Sequence, residues 1–123
     1  MAIEDAAVLG RLLSHVSRPS QVAPLLHAYE SLRLPRTAAT QASSRLNQHI
    51  FHLPDGPEQV ARDQAMRVAM EAEKNANEVS TIGNPNQWAD KEKNHIQFGY
   101  DADEMAERWW NEEGQGLEYV AKL

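Results

Sequence analysis

The sequence predicts an all-α protein made of several amphipathic helices. Apolar residues recur at three- and four-residue steps, as in Val22, Leu25, Leu26, Tyr29 and Leu32, and no alternating run of strand length is present. Helix-start signatures stand ahead of the later periodic stretches. Asp55 lies three residues before Glu58 with Pro57 in the first turn, and Asp101 lies three residues before Glu104.

Taken in order, the first helix is expected from Ala2 to Val16, with Ala6, Leu9, Leu13 and Val16 as its apolar stripe. Glu4 and Asp5 fall in its first turn, where the positive end of the helix dipole favours carboxylates. This helix starts straight from Met1, with no cap or entering loop ahead of it. SRPSQ then breaks the pattern and places Ser20 to cap a second helix carrying Val22, Leu25, Leu26, Tyr29 and Leu32. Pro35 lacks an N–H and disfavours the helical conformation of the residue before it, so a kink or restart is expected near Leu34. Leu46, Ile50 and Phe51 resume the period, and HLPDGPEQ is a loop.

The third helix is expected from Glu58 to Val79, with Ala61, Ala65, Val68, Ala69, Ala72 and Ala76 along a thin face of small residues. TIGNPN ends it, and the asparagines from Asn75 to Asn86 suggest an elbow. WADKEKNHIQFGY reads as one short helix and DADEMAERWW as another, capped by Asp101.

Composition bounds what such a chain can do. Residues 1–123 are expected to form a single domain at most. Only 24 of the 123 residues are Leu, Ile, Val or Phe, close to the roughly 20% needed for a core, so a partner surface would help. A net charge of -6 argues against a general nucleic-acid binder. No run of ~18 apolar residues and no signal-peptide pattern is present, so a cytoplasmic location is expected. There is no cysteine, hence no disulfide or thiolate chemistry.

Candidate chemistry is sparse. His49 and His52 have a spacing that could share a metal, but the nearest carboxylate, Asp55, lies beyond a proline, so surface histidines are the expectation and no metal is assigned. His15, His27 and His95 form no ligand spacing. No nucleophile elbow and no phosphate-cradling glycine loop occurs, so no catalytic residue is assigned. Trp88, Phe98, Tyr100, Trp109 and Trp110 are read as packing, and adjacent Trp109 and Trp110 cannot share one helix face. In YESLRLPR, Tyr29, Glu30, Arg33 and Arg36 are assigned structural roles. A local Glu30–Arg33 ion pair is the favoured reading there, and arginines reaching a neighbouring domain's carboxylates or carbonyls is the sharper one.

In this order, AIEDAAVLGRLL, YESLRLPR, HLPDGPEQ, NPNQW and GYDADEMAERWW resemble, over nearly the whole chain, the C-terminal part of FAD-dependent aromatic monooxygenases, and most of all the fungal salicylate hydroxylase-like branch. The resemblance implies that 1–123 is a partial monooxygenase domain, the helical layer without the Rossmann-like and sheet portions. In that family the first stretch follows a Gly-Gln-Gly loop, which makes Met1 resemble an internal methionine of a longer protein. It also places Ala2, Ile3, Glu4 and Asp5 beside the flavin, with Glu4 and Asp5 as helix-start charges rather than direct ligands. The parent enzyme would use NAD(P)H, FAD and oxygen to hydroxylate an aromatic ring. The family's Gly-x-Gly-x-x-Gly fingerprint and its Gly-Asp motif are absent from this sequence, and its one Asp-Gly pair, Asp55-Gly56, lies in the HLPDGPEQ loop. The fragment is therefore expected to hold no FAD and to be inactive alone, its partner being the missing flavin-binding portion or another flavoprotein chain. The alternative is a non-catalytic helical interaction module that docks on a flavoprotein.

Overall fold

A computed structural model describes residues 1–74 and 90–119, and every regular element among the described residues is helical. The order is α1 (Ala2–Ser14), a 3-10 turn (Pro19–Gln21), α2 (Val22–Phe51), α3 (Pro57–Lys74), α4 (Lys91–Phe98), α5 (Ala102–Trp109), a π-helical turn (Trp110–Gly114) and α6 (Gly116–Tyr119). No helix among the described residues is long and apolar enough to cross a membrane. The chain divides into two compact units, one made of Met1–Ala39 with Asp101–Leu123, the other of Thr40–Tyr100.

The first unit has a core. Val8 and Leu12, four apart on α1, are fully buried and share this core with Leu25 and Ala28 of α2, Ala102 and Ala106 of α5, and Trp110. Burying each larger aliphatic side chain stabilises by roughly 1.5–3 kcal/mol. The buried side of α1 is therefore different from the expected stripe: Ala6 and Leu13 are exposed, and Leu9 and Val16 are half-buried. Polar anchors at both ends of the helix explain the rotation. Glu4 and Asp5 are tied to α2, and Arg11 and His15 to α5, so the side they define carries Val8 and Leu12 inward.

The same logic corrects α2. Val22 and Leu26, expected inside, are exposed, while Leu25, Ala28 and Arg33 are buried. Ser20 does not cap the helix but lies within the 3-10 turn. The polar bracing of that turn comes from Gln21, only 2% exposed, whose Oε1 accepts from Ser17 N–H at 2.8 Å, Ser17 Oγ at 3.0 Å and Arg18 N–H at 3.1 Å. Of the expected kink or restart near Leu34, the restart does not occur: α2 runs unbroken through Pro35. Proline in a helix interior costs about 3 kcal/mol. Here Arg33 and Arg36, one on each side of it, hydrogen-bond the same Glu4 carboxylate.

Asp101 caps α5 as expected, accepting from the backbone N–H groups of Asp103 and Glu104 at 3.0 Å each. Past Trp109 the backbone widens into the π-helical turn, closed by Gln115 N–H donating to Trp110 O at 3.1 Å. Gly114 makes that turn possible: a Cβ there would lie 2.4 Å from Trp110 Cε3 and 3.1 Å from Trp109 Cζ3. The widened turn leaves Trp110 buried and Trp109 half-buried, the divergence expected of neighbours on a helix.

In the unit Thr40–Tyr100, Arg62 of α3 donates to Ile50 O at 2.7 Å and bonds Asp63, whose Oδ2 also accepts from Gln59. The α4 helix starts later than expected, at Lys91, because buried Asp90 caps it by accepting from Glu92 and Lys93 N–H at 3.1 Å each. Of the small-residue face of α3, Ala65, Ala69 and Ala72 are half-buried and Ala61 is exposed. Ala76, Val79, the asparagine-rich elbow and Trp88 lie outside the described residues.

Candidate functional site

A buried polar cluster joins the first turn of α1 to the middle of α2. Glu4 and Asp5 are successive residues on α1, and Arg33 and Arg36 are three apart on α2, a spacing that sets both guanidinium groups on one side of the helix. Arg33 donates from Nε to Asp5 Oδ1 at 2.7 Å and from Nη2 to Glu4 Oε2 at 2.8 Å. Arg36 grips Glu4 with two bonds, Nε to Oε2 at 2.7 Å and Nη2 to Oε1 at 2.8 Å. The planar guanidinium matches a carboxylate in this paired geometry, which lysine cannot reproduce.

Burial gives the cluster weight. The Arg33 side chain is 3% exposed and that of Arg36 11%, against 26% for Glu4 and 30% for Asp5. The Arg36 hydrogen bonds, opposed by partial burial and reinforced by Arg33, pull the Glu4 carboxyl from its ordinary 4.5 down to about 2. A carboxylate held lower in the folded chain than in the unfolded one stabilises the fold above its ordinary value. That stabilisation, on the order of 1–2 kcal/mol after solvent screening, is lost as pH falls from about 4.5 toward 2.

The favoured local Glu30–Arg33 pair gives way to these distant partners. Glu30 is exposed and lies 4.0 Å from the His27 ring, and Tyr29 is half-buried. The sharper reading had the right chemistry, guanidinium to carboxylate, but the carboxylates belong to this chain's own α1. The missing signal was charge balance, since a Glu-Asp pair in one helix is matched by two arginines at helical spacing in the next.

The same tie brings the start of α1 into place. Met1 provides no side-chain cap, and Asp5 N–H donates to Met1 O at 2.9 Å. Ala2 and Ile3 are exposed, Ile3 by 87%. The first-turn N–H groups that precede the intrahelical ladder stand at this exposed end.

A second cluster fastens the other end of α1. Arg11 bonds Asp103 through Nε at 2.8 Å and Nη2 at 2.5 Å, and pulls the Asp103 carboxyl below the usual carboxylate range. His15 lies with Nε2 3.3 Å from Glu107 Oε2, and its ring stacks on Trp110 at 4.1 Å and 10°. Arg18 reaches past the π-helical turn to Leu117 O. Among the described residues no group of three or more His, Asp or Glu could hold a metal ion. His49 and His52 are exposed, with His52 Nδ1 2.7 Å from Gln48 O.

No family model matches the chain. Individual relatives do. The chain is 33% identical over 106 residues, 86% of its length and 23% of the relative's, to the FAD-dependent monooxygenase OpS4 of Beauveria bassiana. It is homologous to FAD-dependent monooxygenases. A 3-amino-4-hydroxybenzoate 2-monooxygenase of Streptomyces platensis is 48% identical over 68 residues, 55% of this chain and 17% of that protein. An FAD-dependent monooxygenase of Arthrinium is 39% identical over 62 residues, 50% of this chain and 15% of its own length. The chain thus spans less than a quarter of the length of these monooxygenases. A match of 106 residues in 123 includes residues 18–106 wherever it begins, so Arg33 and Arg36 lie inside the region shared with the Beauveria monooxygenase.

Proposed function

We propose that the chain is the C-terminal helical part of an FAD-dependent aromatic ring hydroxylase and has no activity by itself. The observation that carries this reading is the match over 86% of the chain to an FAD-dependent monooxygenase of which it makes up 23%. An aromatic substrate for the parent enzyme is favoured by the hydroxybenzoate in the names of the Streptomyces relatives.

The donor set at the start of α1 fits one edge of a flavin. Backbone N–H groups of Ala2 and Ile3, at a helix end without a side-chain cap, suit an electron-rich edge. Glu4 and Asp5 do not fit as ligands. Their carboxylates are engaged by Arg33 and Arg36, and they act by fixing where the helix begins. When bound, FAD supplies the redox chemistry by which NAD(P)H and oxygen hydroxylate the ring. The sequence has no glycine fingerprint for the nucleotide half of that cofactor.

The purified chain is expected to show no flavin absorbance near ~450 nm and no NAD(P)H oxidation, because a protein must supply the whole cofactor-positioning surface. FAD bound at one equivalent to the chain alone would overturn the inactive reading. A second reading, a helical module docking on the missing flavin-binding portion or another flavoprotein chain, is favoured by the apolar side chains exposed in the Thr40–Tyr100 unit. It expects added helix by circular dichroism when the chain is mixed with such a portion, and unchanged spectra would remove it.

A further inference from the structure

We propose that His15, Glu107 and Trp110 form a proton-sensitive clasp that tightens the hold of α1 on α5 when the His15 ring is charged. The three meet at one place. His15 caps the C-terminal end of α1, its Nε2 lies 3.3 Å from Glu107 Oε2, and its ring stacks on Trp110 with centroids 4.1 Å apart and planes 10° from parallel. Its side chain is 21% exposed, so solvent protons reach it. Gly114 lets the π-helical turn close against the Trp110 ring, since a Cβ there would lie 2.4 Å from Trp110 Cε3.

Histidine is the side chain that ordinarily changes charge between about pH 5 and 8. An imidazolium makes a charge-assisted bond to a carboxylate, is attracted to the face of an indole, and is favoured at the negative end of a helix dipole. All three partners already surround His15. A neutral ring keeps only the stacking and an uncharged bond. The neighbouring charges leave Glu107 to His15. Arg11, one turn earlier on α1, directs its fork to Asp103 at 2.8 and 2.5 Å and stands 3.8 Å from Glu107. That pairing holds the Asp103 carboxyl below the usual carboxylate range, so it stays charged wherever histidine titrates. Arg18 turns to Leu117 O, and the α2 residues in this core, Leu25 and Ala28, carry no charge. His27 and Glu30 of α2 are exposed, as are Glu104, Glu112 and Glu113, and Arg108 bonds Met105 Sδ.

The test follows tryptophan emission and the urea midpoint of the full chain between about pH 5 and 8. In the parent, emission is expected to fall on acidification as the charged ring quenches the stacked indole, and His15→Gln is expected to abolish that fall. The clasp stabilises while the ring is charged and is lost as pH rises through the histidine range, so the parent's urea midpoint should drop toward pH 8 relative to that of His15→Gln. Glu107→Gln keeps the titrating ring, and should retain part of the emission change while losing the drop in midpoint. It carries the test if circular dichroism shows that His15→Gln does not fold. The other four histidines are exposed and present in every variant, so their titration cancels in the comparison. Emission and midpoint that follow pH identically in the parent and His15→Gln overturn the clasp. A midpoint in Glu107→Gln that follows pH as the parent's does overturns it as well, since the ring then titrates beside Trp110 without holding α5.

Discussion

The two units are made from the same kind of helix and differ in what holds them. In Met1–Ala39 with Asp101–Leu123, Val8, Leu12, Leu25, Ala28, Ala102, Ala106 and Trp110 are buried, and each end of α1 is fastened by guanidinium–carboxylate bonds. In Thr40–Tyr100, Ile50 is the apolar side chain buried among the described residues. Leu46, Phe51, Val60, Met66, Val68, Met70, Ile96 and Phe98 are all exposed there. Regular helices with capped starts occur among the described residues of both units, so local structure does not distinguish them. Interior packing does, and it concentrates where long-range polar ties select which helix side turns inward.

The contrast can be broken by attacking the ties. Arg33→Ala removes a buried cation shared by two carboxylates, and by analogy with broken buried pairs should cost about 3 kcal/mol. A urea midpoint unchanged by this variant would mean that apolar burial alone holds the first unit. Gly114→Ala comes next. It drives a Cβ to within 2.4 Å of Trp110 and should cost about 2 kcal/mol through overpacking, with a shift in tryptophan emission as the ring beside His15 is displaced. Smallest is Val68→Asp in α3, at a side chain 49% exposed, expected to stay within about 0.5 kcal/mol of the parent. A larger loss would show that the Thr40–Tyr100 unit has an interior after all.

What could be read from the sequence follows the range of the forces involved. Helical class, the Asp101 cap and the divergence of Trp109 and Trp110 are set within a turn or two, and they were legible. The burial side of α1 was not, since Ala6, Leu9, Leu13 and Val16 make as good a stripe as Val8 and Leu12 until the anchors at Glu4, Asp5, Arg11 and His15 are known. Pro35 did not produce the expected restart. Arg33 and Arg36, 29 and 32 residues from Glu4, flank it with bonds that no local reading supplies. Glu4, Asp5, Arg33 and Arg36 stood out in the sequence, but their mutual pairing did not. The nearest opposite charge, Glu30, was the natural guess, and chain proximity is a poor guide once a helix packs on another.

The interleaving of α1 with α5 has a consequence for biosynthesis. Arg11 and Asp103 are 92 residues apart, and Val8 and Leu12 share their core with Ala102 and Ala106. At about 5–20 residues per second, α1 emerges several seconds before α5 arrives to cover it. During that interval the aliphatic side of α1 is open to chaperones and to other chains. Any slowing of translation between these two stretches therefore lengthens the period in which Val8 and Leu12 lack the α5 side of their core.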